Sequence, residues 1–394
     1  MRTKAVLVSS KFSMVHFLLL GLKPLPRPNG FTTFDLKKRV EVRLENTNIC
    51  FAPEAFDRLA ELMRKAGLGR VFVLTDENTK AHCWPHFQKR LPDDVPCRHL
   101  HVPSGESHKS PEALLSLWRE LHLHAGDRSS LFINLGGGVI SDLGGFTAAT
   151  YMRGISFVNF PTTLLAMVDA SLGSKTALNL DGIKNLVGAF ASPLLVGIDP
   201  KFLFTLSRDE LLSGLAEMFK HGLIADRSHF EALQELPFDN PVPGLELILQ
   251  SLRIKHKIVA QDPREAGPRK LLNFGHTVGH ALEAHSHESG AALRHGYAVG
   301  LGMRVELALS VACTGLPKNE ARSLDQNLAR WYPWPSHDWD LRRLQDLMSR
   351  DKKNRAGQWL FTLISSPGHA VYNVPVPPES VRHALEKCFA GEVD

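Results

Sequence analysis

Leu131-Phe-Ile-Asn-Leu-Gly-Gly-Gly138 is the stretch of sequence that decides the fold. Its first five residues are mostly apolar and predict one short buried strand, and three glycines follow at once. Glycine at a strand-to-helix turn allows backbone N–H groups to approach a phosphate, because no Cβ stands in the way. The G-x-G-x-x-G dinucleotide fingerprint is absent, so the turn taken alone is as compatible with a structural role as with a binding role.

The segments around this stretch alternate between strand and helix patterns. Phe51 to Ala66 has the periodicity of an amphipathic helix, and Arg70 to Thr75 that of a buried strand. Ser110 to Leu123 predicts a helix with a serine cap and a proline at its first position. Another strand is expected from Ile155 to Phe160. This order is the βα alternation of an α/β domain.

Strand signals fade after Asp199-Pro200, and residues 210–224, 245–260 and 277–285 carry helical periodicity. We therefore expect an α/β domain over residues 35–200 and an all-helical domain over residues 201–394. Residues 1–34 contain five Lys or Arg and no acidic residue, a balance also found in transit peptides. Because charges interrupt every apolar stretch there, we favour a disordered tail or a true start at Met14.

Composition excludes several classes of protein. The 394 residues include 46 Lys+Arg and 41 Asp+Glu, and a net charge of +5 gives no support to nucleic acid binding. The five cysteines are far apart, so neither a disulfide framework nor a thiolate zinc site is indicated, and a cytoplasmic location is expected. No apolar run approaches the roughly 18 residues needed to span a bilayer, so no membrane partner is expected.

Two histidines have the spacing of metal ligands on a helix. His276 and His280 are four residues apart, which places both imidazoles on one helix face. A third ligand is needed, and the candidates are Glu217 and His295. An acid in an apolar helix is more often a satisfied helix residue than a ligand, so spacing alone leaves this choice open.

Cations recur beside small residues, where an anion would have room. They are Lys175, Lys184, Lys220, Lys255, Arg269, Lys352 and Lys353. Lys and Arg in such positions are suited to holding phosphate or carboxylate, although each one alone is more simply explained as solvated. Asp142, four residues after the glycines, could face the same crevice or simply cap the helix start.

Taken together and in order, nine motifs resemble the 3-dehydroquinate synthase family of the sugar phosphate cyclases. They are Gly136–Phe146, Tyr151–Gly154, Pro161–Leu165, Val168–Thr176, Lys184-Asn185, Gly214–Glu217, Leu271–Thr277, His295-Gly296 and Asp351–Lys353. The resemblance implies a Rossmann-like NAD-binding half, a helical metal-binding half and an active site in the cleft between them. It also implies a cycle in which bound NAD oxidises 3-deoxy-arabino-heptulosonate 7-phosphate, phosphate leaves, the ketone is reduced again and an aldol step closes the ring.

Site residues follow from the same resemblance. The ligands of Zn or Co would be Glu217, His276 and His295, with His280 near the substrate phosphate. Arg269 and Lys255 would take the carboxylate; Lys175, Asn185 and Asn273 the phosphate. The catalytic set would be Asp142, Asp169, Lys175, Lys220, Lys255 and His280, with one of Lys352 or Lys353 also on the substrate. Arg153 would reach a neighbouring site across a homodimer interface. NAD would contact Asp76, Asn78, Glu106, Lys109, Gly137, Gly138, Val139, Asp142, Thr162, Thr163, Lys175, Lys184, Phe202 and Thr205.

Three positions depart from the family pattern. Ser174 and Ala177 stand where glycine is usual, and Tyr297 replaces the usual glutamate. The first two flank Lys175, so they bear on the identity of the substrate. The alternatives are a sister cyclase of the 2-deoxy-scyllo-inosose or valiolone type, a metal-dependent polyol dehydrogenase and an inactive scaffold. Arg269 and Lys255 argue against the sister cyclases, since a substrate without a carboxylate has no use for this pair.

Overall fold

A computed structural model describes residues 48–66, 70–171, 173–181, 183–262, 265–349 and 358–391. It also describes the backbone of residues 24–25, 33–34, 41–44 and 47. Most of the expected tail, and both Lys352 and Lys353, lie outside these residues.

A seven-stranded sheet forms the N-terminal half. Six of its strands are parallel, and the edge strand β3 runs antiparallel to β4. The spatial order is β3-β4-β11-β8-β7-β5-β6. The strands of the chain up to residue 200 are β1 (Pro24–Leu25), β2 (Thr33–Phe34), β3 (Glu41–Leu44), β4 (Thr47–Phe51), β5 (Val71–Thr75), β6 (Cys97–His101), β7 (Leu131–Gly136), β8 (Ser156–Pro161), β9 (Lys175–Leu180), β10 (Ile183–Phe190) and β11 (Leu195–Ile198).

The central strands are apolar throughout because helices cover both faces of the sheet. Every residue of β5 and of β7 is buried, which is the pattern of a parallel sheet. The helices of this half are α1 (Glu54–Ala66), α2 (Glu77–His82), α3 (Trp84–Gln88), α4 (Pro111–Leu123) and α5 (Gly138–Thr150). Ser110 caps α4 by accepting a hydrogen bond from the Ala113 amide, as its sequence predicts. The α/β expectation is therefore confirmed.

The C-terminal half is mainly helical. Its helices are α6 (Arg208–Ala225), α7 (Arg227–Gln234), α8 (Leu245–Gln261), α9 (His276–Glu288), α10 (His295–Thr314), α11 (Lys318–Trp331), α12 (Leu341–Ser349) and α13 (Pro378–Phe389). Helix α10 is long and apolar enough to span a membrane by length and composition, but 72% of its most apolar window is buried inside the protein. It packs against α6, α9, α11 and α13 as the central helix of this half.

One element goes beyond the all-helical expectation. Strands β12 (Trp359–Ser366) and β13 (His369–Val376) form an antiparallel hairpin that packs on α10. The turn is Pro367-Gly368, with Gly368 at a φ of 86° that favours glycine. The hairpin therefore adds two strands to the helical half. The sheet half ends with β11, before the first helix of the helical half.

Candidate active site

Three helices of the C-terminal half bring the expected metal ligands together. Glu217 lies in the middle of α6, while His276 and His295 are the first residues of α9 and α10. Glu217 Oε1 lies 3.5 Å from His276 Nε2 and 3.8 Å from His295 Nε2. One carboxylate oxygen therefore faces two imidazole nitrogens from two other helices.

Close backbone contacts between the helices set this geometry. A Cβ on Gly296, the residue after His295, would collide with the carbonyl oxygen of Ser213 in α6. A Cβ on Gly302 would likewise collide with the carbonyl oxygen of Gly275, the residue before His276. The helices approach this closely only because glycine stands at the crossings. The ligand side chains thus start from fixed points of the main chain.

The donor set fits a divalent metal such as Zn²⁺ or Co²⁺. Glu217 is fully buried, and its Oε1 has no hydrogen-bond partner among the residues that the structure describes, whereas Oε2 accepts a hydrogen bond from Lys220. His276 Nδ1 donates to the Phe274 carbonyl oxygen and His295 Nδ1 donates to Glu283, which leaves each Nε2 with a lone pair. Buried polar atoms normally have partners, so a lone carboxylate oxygen between two such nitrogens is the arrangement of a metal site.

His280 belongs to the same cluster. Its ring centroid lies 5.2 Å from that of His276 and 5.8 Å from that of His295. The side chain of His280 is exposed, unlike the buried carboxylate of Glu217. The helical spacing predicts His280 as a metal ligand, whereas the family resemblance places it near the substrate phosphate.

Burial and charge move the pKa values of the two ligand imidazoles in opposite directions. Burial lowers the pKa of His276 well below its usual value, and the charge of Lys220 adds to this. Burial also acts to lower the pKa of His295, but its hydrogen bond to Glu283 and that carboxylate's charge outweigh it and raise the pKa. His276 is therefore held neutral, the form that binds a metal.

A second ion pair, between buried Lys255 and partly exposed Asp169, joins the two halves of the chain. Asp169 lies in a five-residue π-helical turn, Ala166–Ala170, and accepts a hydrogen bond from Lys255 of α8. His221 of α6 lies beside them and is fully buried, and within the described part of the chain neither of its ring nitrogens is hydrogen-bonded. Burial lowers the pKa of His221 well below its usual value, with Lys220 acting in the same direction. The sequence analysis did not single out His221, although it is four residues from Glu217.

Lys175 and Asn273, both expected at the substrate phosphate, meet on one carboxylate. Lys175 Nζ lies 2.5 Å from Glu265 Oε2, and Asn273 Nδ2 donates to Glu265 Oε1 at 3.0 Å. Arg269 is buried nearby, and its amide donates to Asp262. Burial would raise the pKa of Glu265, but Lys175 and Asn273 outweigh it and lower the pKa. Sequence reasoning missed Glu265.

Three expected residues of the sheet half also form one group. Lys109 is almost fully buried, and its Nζ lies 2.5 Å from both Asp142 Oδ2 and Asn185 Oδ1. Asp142 therefore binds Lys109 and does not cap the start of α5. Burial raises the pKa of Asp142, and the charge of Lys109 offsets part of this rise. Asn185 was expected at the phosphate, and its amide oxygen points to the Lys109 group.

Lys184 reaches across to the helical half. Its Nζ donates to Glu283 Oε1 at 2.7 Å, and the other oxygen of Glu283 accepts from His295. Glu283 is a functional candidate that sequence reasoning missed. Its position was a usable signal, because it lies seven residues after His276 and three after His280 on one face of α9.

The remaining nucleotide candidates lie at the glycine turn and at other positions of the sheet half. Gly137 precedes the first residue of α5, Gly138, and Val139 follows in its first turn. Thr162 donates from its amide to the Gly136 carbonyl oxygen, and Thr163 lies against Gly137. Asp76 caps the start of α2: its side chain accepts a hydrogen bond from the Thr79 amide. Glu106 accepts from Asn179; Asn78 and Thr205 are exposed; the ring of Phe202 is buried in the core.

Arg153 lies in an exposed turn, and Tyr297 contacts Pro333 and Tyr332. Arg153 is exposed in the turn after α5, with a φ of 69°, beside exposed Met152 with a φ of 51°. Tyr297 donates its hydroxyl to the Pro333 carbonyl oxygen at 2.6 Å and packs edge-on against Tyr332. Both contacts of Tyr297 are structural.

Comparison with known proteins identifies what the chain resembles. The 3-dehydroquinate synthase N-terminal family matches residues 99–213, and the 3-dehydroquinate synthase C-terminal family matches residues 214–354. A 3-dehydroquinate synthase of Parabacteroides distasonis is 39% identical over 335 residues, covering 83% of this chain and 94% of its own. One of Gloeobacter violaceus is 36% identical over 358 residues, covering 88% of this chain and 98% of its own.

Solved structures share the fold. A 2-deoxy-scyllo-inosose synthase, complexed with carbaglucose-6-phosphate, NAD⁺ and Co²⁺, has a TM-score of 0.77 at 20% identity and covers 89% of this chain and 99% of its own. A 2-epi-5-epi-valiolone synthase from Streptomyces hygroscopicus, with NAD⁺ and Zn²⁺ bound, has a TM-score of 0.76 at 24% identity and covers 91% of this chain and 100% of its own. At these identities the likeness concerns the fold alone.

Proposed function

The chain belongs to the 3-dehydroquinate synthase family, and from that premise we propose that it converts 3-deoxy-arabino-heptulosonate 7-phosphate to 3-dehydroquinate and phosphate. The reaction is a carbon–oxygen lyase step with transient oxidation, within the shikimate pathway of aromatic amino acid biosynthesis. The substrate has a carboxylate at one end and a phosphate at the other, so the site must offer two separate groups of cations.

The observation that carries the proposal is the orphaned Oε1 of Glu217, which faces His276 Nε2 and His295 Nε2. These three residues would hold the metal. A divalent cation bound there would coordinate substrate oxygens and make a substrate hydroxyl more acidic. Lys220, buried against the other oxygen of Glu217, orients the carboxylate by donating a hydrogen bond to it.

Cationic groups beside the metal ligands support the assignment of the two substrate ends. Arg269 and Lys255, both buried, would bind the carboxylate, since a guanidinium and an ammonium in a dry site bind anions strongly. Lys175, Asn273 and His280 would bind the phosphate. Substrate would then compete with Glu265 for Lys175 and Asn273, which Glu265 holds in this structure.

The group around Lys109 supports a dinucleotide site at the glycine turn. Backbone amides at Gly137, Gly138 and Val139, at the start of α5, are suited to a pyrophosphate. NAD, when bound, would accept a hydride from the substrate and return it within one turnover. Asp142, whose pKa burial raises, contacts Lys109 and would hold or pass a proton during that reaction.

We also propose a homodimer in the cytoplasm, with Arg153 reaching the partner's phosphate site. Arg153 and Met152 are exposed in a strained turn, and exposed apolar residues on β10 provide a surface for a second copy. We retain residues 35–200 and 201–394 as the two domains, in keeping with the change from sheet to helices after β11.

One assay tests the proposed reaction. The purified chain, supplied with Zn²⁺ or Co²⁺ and NAD⁺, is mixed with the heptulosonate phosphate while released phosphate and NADH absorbance are followed together. Phosphate release without net NADH supports the proposal. Net NADH would mean a polyol dehydrogenase, and turnover of a hexose or heptose phosphate that lacks the carboxylate would mean a sister cyclase. Neither product would mean a scaffold.

A further inference from the structure

We propose that Glu283 is a positioning residue for the metal ligand His295, and that Lys184, from the other half of the chain, fixes Glu283 in place. This inference rests on the proposed function, because it takes His295 as a metal ligand. It adds a carboxylate that touches no substrate, and it gives Lys184 a role besides its expected contact with NAD.

The first step is the hydrogen bond between the carboxylate and the imidazole. Glu283 Oε2 lies 3.1 Å from His295 Nδ1. A carboxylate accepts only, so Nδ1 carries the proton and the lone pair is on Nε2, which faces Glu217 Oε1 at 3.8 Å. A carboxylate on the far nitrogen of a metal-binding histidine fixes its tautomer and ring angle, and it strengthens the nitrogen that binds the metal.

The second step is the anchoring of that carboxylate. The Glu283 side chain is only 10% exposed, and its Oε1 accepts from Lys184 Nζ at 2.7 Å. One oxygen of Glu283 therefore contacts Lys184 of the sheet half, and the other contacts His295 of the helical half. Lys184 lies on β10, next to Asn185, whose amide oxygen accepts from Lys109. Neighbouring residues of β10 thus contact both groups: Asn185 contacts the glycine-turn group through Lys109, and Lys184 contacts the ligand His295 through Glu283.

Metal affinity, measured directly, tests the inference without relying on turnover. The metal-free enzyme is titrated with Zn²⁺ against a chromophoric chelator, and Co²⁺ is added separately to record its visible absorption bands. We expect Glu283→Gln to weaken Zn²⁺ binding about ten- to a hundredfold and to shift the Co²⁺ bands, because loss of a carboxylate that holds a metal-binding histidine has effects of this size. We expect Lys184→Met to weaken binding by a smaller factor.

Glu288→Gln is the matched control. Glu288 is on the same helix α9 but pairs with Arg343 at the surface, so its loss should leave Zn²⁺ affinity and the Co²⁺ bands unchanged. If Glu283→Gln binds Zn²⁺ as tightly as Glu288→Gln does, Glu283 is not a positioning residue. Wild-type affinity in Lys184→Met would overturn the anchoring role. Lys184 is 45% exposed, so this second variant can be studied even if Glu283→Gln fails to fold.

His295→Ala separates this inference from the proposed metal site. If His295→Ala loses Zn²⁺ while Glu283→Gln retains full affinity, only the positioning role fails. If His295→Ala itself binds Zn²⁺ normally, the proposed metal site is wrong and the inference falls with it.

Discussion

Lys255 Nζ lies 2.5 Å from Asp169 Oδ1 and 2.6 Å from the backbone carbonyl oxygen of the same residue. The Lys255 side chain is 7% exposed and that of Asp169 30%. The ammonium thus depends on one residue of a π-helical turn for both contacts. Lys255 is a substrate-binding candidate, so this pair also holds the cation ready for a carboxylate.

We expect Asp169→Asn to destabilise the protein by about 3 kcal/mol, near the low end for a broken buried pair because Asp169 is partly exposed. Lys255 would be left as an uncompensated buried charge. Urea unfolding followed by circular dichroism measures the change. Asp169→Asn combined with Lys255→Met should recover part of the loss, and a single variant within about 0.5 kcal/mol of wild type would contradict the prediction.

Removing the metal should abolish phosphate release and lower the melting temperature. Bound metal stabilises the native state by mass action, and without it Glu217 Oε1 has no partner. Zn²⁺ or Co²⁺ should restore both properties. His276→Ala should lose bound metal yet remain folded, because His276 is not part of the hydrophobic core, which runs through both halves of the chain. Full activity after exhaustive chelation would exclude a metal-dependent reaction.

Metal content separates the two roles proposed for His280. If His280 serves the substrate phosphate, His280→Ala should keep one equivalent of Zn²⁺ per site and release phosphate more slowly. If the i, i+4 pair binds the metal, the same variant should lose its Zn²⁺ as His276→Ala does. Elemental analysis of the two variants side by side decides between these outcomes.

Arg269→Ala should weaken binding of the natural substrate far more than that of an analogue lacking the carboxylate. A charge-assisted hydrogen bond typically contributes about 1.5 to 3 kcal/mol, so the difference between the two ligands should be roughly ten- to a hundredfold. Isothermal titration with both ligands measures it. Equal losses would show that Arg269 is structural, and the sister-cyclase alternative would then gain support.

A buried histidine outside the site should make stability depend on pH. His229 is 2% exposed, and its Nε2 forms a hydrogen bond with Ser251. Its Nδ1 has no partner among the described residues. Burial lowers the pKa of His229 to about 4. The unfolded chain, with a histidine pKa near 6.5, binds more protons between these values. Its contribution to stability is therefore complete above about pH 6.5 and is lost as the pH falls towards about 4, by about 3 kcal/mol.

Unfolding in urea from pH 7.5 to pH 4 measures this dependence. His229→Gln should flatten the acid side of the profile relative to wild type. Exposed His383 provides the control, and His383→Gln should leave the profile unchanged. Parallel profiles for wild type and His229→Gln would refute the assignment.

Periodicity and local turn and cap residues predicted most of the strands and helices. The glycines after Leu135 mark the end of β7, and the serine and proline at 110–111 mark the start of α4, because these residues act through local backbone chemistry. The β12–β13 hairpin was missed although Pro367-Gly368 is a turn signal. Strand β12 mixes buried and half-buried residues without a clear alternation.

The site was only partly predictable for a different reason. Glu217, His276 and His295 were found by resemblance, since they lie on three helices and no spacing within one helix relates them. Glu265 lies in a loop with a φ of 61° and joins Lys175 only through the tertiary fold. Pairs such as Lys184 with Glu283, 99 residues apart, depend on how the two halves meet.

The glycine contacts between the helices have a consequence for redesign of this enzyme. Because Gly296 and Gly302 hold α10 against main-chain atoms of neighbouring segments, alanine at either position would push whole helices apart. Repacking the surrounding apolar side chains, in contrast, leaves that spacing untouched. Laboratory evolution towards new substrates should therefore accept changes on β9 and β10, the strands that carry Lys175 and Lys184, more readily than at these two glycines.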